Sequence, residues 1–88
     1  MEKTNMKFKK RPIIIEAIQF KGNQKSFIAI YNMAGCENVS IEKDLQHLRM
    51  ETLEGVMFAK VNDWIVKGIK DEIYPVKNNI FKLTYTPV

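Results

Sequence analysis

Nucleophilic catalysis would have to start from Cys36 and His47, the single cysteine and the single histidine of the chain. A thiol nucleophile needs a base within hydrogen-bond reach and a third group to orient that base. The pattern places Cys36 just past the C-terminus of a predicted helix, where the partial negative charge of the helix dipole disfavours a thiolate. The two residues therefore read as unrelated. A metal site would have to be built mostly from carboxylates. Glu51, Glu54, Asp71 and Glu72 show only the spacing of strand-surface and turn charges. Glu51 and Glu54 flank a predicted hairpin end, but acid–base work needs a low-dielectric pocket that shifts a carboxyl pKa, and no sequence pattern indicates one. The four glycines stand singly at 22, 35, 55 and 68, so no phosphate-cradling loop is present. The chain is expected not to be an enzyme and to hold no cofactor and no metal.

Binding chemistry is better represented. Asp63, Trp64, Lys67, Tyr74 and Lys77 cluster in a short stretch whose two large aromatics fall on neighbouring predicted strands. An aromatic with a polar handle suits a surface that must be both apolar and selective, and nearby cations suit phosphate or an acidic partner. The competing reading is that Trp64 anchors the core with Tyr74 packed beside it. A second candidate is electrostatic. The net charge is +4, and Lys3, Lys7, Lys9, Lys10 and Arg11 set against Glu2 place all of it in the first eleven residues. The remainder is formally neutral. Lys7, Lys9, Lys10 and Arg11 are thus the candidate nucleic-acid contacts of a basic arm, weighed against a solvated leader to the first strand.

The elements that position these residues follow from hydrophobic period. Residues 1–11 form the arm and 12–88 one domain, since 88 residues leave no room for a second core. Pro12 opens a β-branched run that predicts a strand over 12–20, apolar on both faces at its start and hence central in its sheet. Phe27, Ile28, Ile30, Tyr31 and Ala34 recur at helical spacing, so a helix is predicted over 24–34, closed by Gly35 in a left-handed cap. From Val39 the chain reads as a meander of short antiparallel strands. Leu48, Met50 and Thr52 share one face and Arg49 and Glu51 the other, before a two-residue hairpin loop at Glu54-Gly55. Turns follow at Asn62-Asp63 and Lys70-Asp71. Asn78 or Asn79 would cap one short helical turn before an extended end, although Leu83-Thr84-Tyr85-Thr86 also suits a strand. The fold class is α+β: a small, mostly antiparallel β-sheet with one covering helix and a short C-terminal helical turn.

Several stretches carry a family resemblance. They are Arg11-Pro-Ile-Ile-Ile-Glu-Ala-Ile-Gln-Phe, the central Glu-Thr-Leu-Glu-Gly, Asn62-Asp-Trp-Ile-Val-Lys-Gly-Ile-Lys-Asp-Glu-Ile-Tyr-Pro-Val-Lys, Ile80-Phe81, and Thr84-Tyr-Thr-Pro-Val. Together they resemble a family of small uncharacterised proteins of tailed phages and prophages. In that family the turn before the aromatic is typically Pro-Gly-Asp, where this chain has Val61-Asn62-Asp63, and the residue after Tyr74-Pro75 is often Cys, where this chain has Val76. The resemblance implies a phage origin and a compact β-rich domain, and it assigns no catalytic or binding residue.

Two functional classes follow. The first is a phage accessory protein acting by stoichiometric binding, inhibiting a host defence protein or sequestering a small signalling ligand. The second is a nucleic-acid-associated protein using the basic arm. The sequence shows no apolar run of membrane-spanning length, no secretory leader and no pair of cysteines, so a location in the host cytoplasm is expected. A small sheet with one covering helix leaves edges and a face to protect, which points to a homodimer.

Overall fold

The computed structural model describes residues 5–9 and 11–88. Among them the elements run β1 (Glu16–Gln19), α1 (Gln24–Ala34), β2 (Val39–Ile41), β3 (His47–Thr52), β4 (Gly55–Lys60), β5 (Trp64–Lys67), β6 (Ile73–Val76) and α2 (Asn78–Thr84). The architecture is α+β. Its strands form two antiparallel three-stranded sheets, ordered β1-β5-β6 and β2-β3-β4.

α1 begins where Asn23, in extended backbone, accepts the Ser26 N–H at 2.9 Å through its side chain. Ser26 is buried, but its hydroxyl donates to the Asn23 carbonyl and accepts the Lys21 N–H, so its burial leaves no polar atom unpaired. At the other end the Gly35 N–H donates to the Tyr31 carbonyl. Gly35 takes the expected positive φ, +92°, but with ψ at 142° rather than in the left-handed helical well. The chain therefore leaves the helix extended and reaches β2 within a few residues. Only glycine occupies that backbone region without strain.

Two strand expectations are corrected. The predicted strand over 12–20 is paired only at Glu16–Gln19, and β1 is an edge strand, with β5 central. The reason is the length of its neighbour. Glu16 opposes Lys67, and β5 then turns away through a tight loop closed by Gly68 N–H to Glu72 O and Asp71 N–H to Gly68 O. Residues 12–15 have no strand beside them. The hairpin loop is Leu53-Glu54, not Glu54-Gly55, because Gly55 already opposes Thr52. Gly55 carries φ +97° while Leu53 and Glu54 do not have positive φ, so the loop is not a primed turn, and the pairing runs on from Thr52-Gly55 without a bulge.

Directly opposed residues of antiparallel strands point to the same face, and the register therefore sorts the side chains. Ile18, Ile65 and Ile73 share one face of the first sheet and meet Val39, Leu48, Met50 and Ala59 from the second, with Phe20 and Ile30 completing the core. β6 packs over β3 and β4 on one side, and α1 closes the other against β1, β2 and β5. Gln19, Trp64, Val66, Tyr74 and Val76 occupy the opposite face of the first sheet. Val66 is fully buried there, outside the main core.

The turn between the sheets runs through Val61-Asn62. The Asp63 N–H returns to the Lys60 carbonyl at 3.0 Å with Asn62 at φ +81°, a type II arrangement. This is the position at which glycine or asparagine is favoured, so Asn62 holds the turn that its residue type allows. Asn62→Ala is expected to destabilise the protein by about 1–2 kcal/mol in urea denaturation, while Asn62→Gly stays close to the parent.

Candidate functional site

α2 covers the second face of the first sheet. Its start is set by Lys77, whose side chain makes no cap, so neither Asn78 nor Asn79 caps the helix. Asn78 is drawn inward instead. Its Oδ1 accepts the Trp64 indole N–H at 2.9 Å and faces the Gln19 amide at 3.4 Å. Phe81, one turn further on, lies flat on Trp64 with ring centroids 4.1 Å apart and planes 5° from parallel. Tyr85 follows with its ring against Phe81 and its hydroxyl 3.4 Å from that of Tyr74. The helix runs to Thr84 and an extended end follows.

The residues singled out from sequence are thereby separated. Trp64 and Tyr74 do share a face, but Trp64 is half-buried beneath Phe81, bonded through its only polar atom. Asp63 serves the turn, its carboxylate accepting the Lys60 N–H. Lys67 points from the other face of β5, with its ammonium 3.7 Å from Asp71. Lys77 is exposed. In the arm, Lys7 and Lys9 are exposed and Lys10 lies outside the described residues. The Cys36 thiol interacts with the Tyr31 hydroxyl, whose pKa it raises, and His47 Nδ1 bonds Asp44 at 2.6 Å. Among the described residues, no three His, Cys, Asp or Glu side chains gather as a metal site, and no helix is long and apolar enough to cross a membrane.

What the fold does assemble is a groove that the sequence reading missed. The unpaired segment 11–15 runs beside the C-terminal end of the chain. Between them lies a depression of about 430 Å³ bounded by Arg11, Ile13, Ile15, Ile69, Glu72, Tyr74, Thr84, Tyr85 and Thr86. A smaller one of about 200 Å³ shares Ile13, Ile15, Tyr85 and Thr86 and continues past Ala17 and Phe81 to Val88. Of the sequence-selected residues that are described, Tyr74 and Arg11 line it. The signal available in the sequence was the apolar run Ile13-Ile14-Ile15, whose first two members remain 43% and 79% exposed.

Tyr74 is the electrostatically distinctive group of the groove. Burial, the adjacent Tyr85 hydroxyl and the Glu72 carboxylate all disfavour its phenolate, pushing its pKa up to about 12. It stays a neutral donor and acceptor through the physiological range.

Two outcomes follow. Because the native state raises the Tyr74 pKa from 10.0 to about 12, its contribution to stability is complete below pH 10 and is lost as pH rises through 12. Urea denaturation across that window should show a loss of stability that is smaller in Tyr74→Phe. Phe81→Ala should cost about 2 kcal/mol and shift the emission of Trp64, the single tryptophan, to the red as α2 loosens. Compared with protein-family models, curated proteins and solved structures, the chain matches none of them.

Proposed function

We propose that this chain acts by stoichiometric binding, as a small phage accessory protein that engages and blocks a host protein, a defence component in the phage setting. The observation that carries the reading is the continuous groove between segment 11–15 and the C-terminal end, with an apolar floor, hydroxyls from Tyr74, Tyr85, Thr84 and Thr86, and Arg11 at its rim. Small-ligand sites enclose most of their ligand. This groove is open along its length and bordered by exposed Ile13 and Ile14, features that suit an extended protein segment. Arg11 favours a carboxylate in that segment, and the hydroxyls favour backbone amides. The chain works in the host cytoplasm as a homodimer, its free sheet edges supplying the means of association.

The exposed arm, with Lys7 and Lys9 alternating with Met6 and Phe8, supports nucleic-acid association as a second reading.

The test is affinity capture from the producing cell combined with native mass spectrometry. A protein partner should be retained by the parent and by Tyr31→Phe, outside the groove, and weakened about tenfold or more by Ile13→Asp, which alters an exposed side chain. A retained small mass that is lost on denaturation would replace the protein partner with a sequestered ligand. Nucleic acid that co-purifies, falls away with salt and disappears on trimming residues 1–11 would establish the arm as the binding element.

A further inference from the structure

The second sheet ends in an edge separate from the groove, on the free side of β4. The Glu51 N–H is given to Asn38 on the β2 side of β3, so Glu51 and Val56 oppose one another as a non-hydrogen-bonded pair. By alternation, Val56, Phe58 and Lys60 direct their N–H and C=O groups off the free edge. Lys60 confirms the parity, because its N–H goes to the Asp63 carboxylate and its C=O receives the Asp63 N–H. Asp63 thus ends the edge, and no described residue pairs with the backbone of Val56 or Phe58. Their side chains are 44% and 52% exposed, with Met57 at 36% between them.

We infer that β4 is a homodimer edge, pairing antiparallel with β4 of a second copy about a twofold axis through Met57. In that register Val56 opposes Phe58 of the second copy, and every free N–H and C=O of these residues finds its complement. Lys60 falls opposite Glu54 of the second copy, so ammonium meets carboxylate at both ends of the pairing. The neighbouring register, with Phe58 on the axis, sets Val56 against Lys60. It leaves the Val56 carbonyl facing an N–H already held by Asp63 and places Glu54 opposite Asn62. Charge and hydrogen bonding select the Met57 register. The product is one continuous sheet across two chains, with Val56 and Phe58 covering each other on its outer face.

This inference rests on the homodimer reading above, and its experiment separates the two. Sedimentation across a concentration range should show a dimer. Lys60→Glu, which sets Glu54 against a second carboxylate, should raise the dissociation constant about tenfold or more, and the exchanged pair Glu54→Lys with Lys60→Glu should restore it. Phe58→Pro removes an outward N–H without breaking a β3 bond and should abolish pairing in a chain that circular dichroism shows to be folded. A monomer at every concentration overturns both the homodimer and this edge. A dimer indifferent to Lys60→Glu and to Phe58→Pro overturns this edge alone.

Discussion

The structure turns on the place where Phe20 meets the turn at Asn62-Asp63. The Phe20 N–H donates to the Asp63 carbonyl at 2.9 Å, and its own carbonyl accepts the Asn62 N–H at 2.7 Å. The side chain between these bonds is fully buried and touches both sheets' shared core. One residue therefore fixes the end of β1, the corner between β4 and β5, and the centre of the hydrophobic interior. Gly22 follows because nothing larger fits: a Cβ there would stand 2.9 Å from a Val61 methyl, at φ +76°. The start of α1 is then set by Asn23 and Ser26, and the helix has only one side of the core left to close. Burial and backbone hydrogen bonding act at the same point, which makes the joint between the sheets cooperative.

The opposite face of the first sheet obeys a different constraint. A three-stranded sheet with Trp64, Val66, Tyr74 and Val76 on one face cannot leave that face to water, and α1 is already committed elsewhere. α2 supplies the cover with seven residues, too few to be a stable helix alone. It holds by the Phe81 stack on Trp64 and by Asn78 on the indole N–H. The groove is a by-product of this economy, since α2 and the end of the chain cover Trp64 and stop short of Ile13 and Ile14.

Much of this was legible in local pattern. The helix over 24–34, the alternation of Leu48 and Met50 against Arg49 and Glu51, and the proximity of Trp64 to Tyr74 all follow from periodicity, because each depends on neighbours in sequence. What was not legible depends on where partners end. The Ile13-Ile14-Ile15 run carries the composition of a central strand, yet the turn at Gly68 removes its partner and leaves it as the wall of a groove. Asn78 has the chemistry of a cap, yet an indole N–H from β5 competes for its oxygen and wins. The candidate site itself joins residues near 11–15, 69–74 and 84–86, which no spacing rule connects. The division of one expected sheet into two lies in the type II turn at Asn62, whose hand a residue pair does not declare.

The burial of Val66 outside the main core has a consequence for how the molecule breathes. The interior shared by the two sheets and the small contact layer under α2 lie on opposite faces of the β1-β5-β6 sheet. Opening of α2 exposes Trp64 and Val66 while leaving Phe20, Leu48 and Met50 covered, so the chain has two tiers of opening free energy rather than one. Amides of α2 report the lower tier and amides of β3 and β5 the higher. The groove depends on the lower tier, because Tyr85 and Thr86 line it only while the helix before them is docked. Occupation of the groove therefore acts as a clamp on a segment that the rest of the fold leaves free to detach.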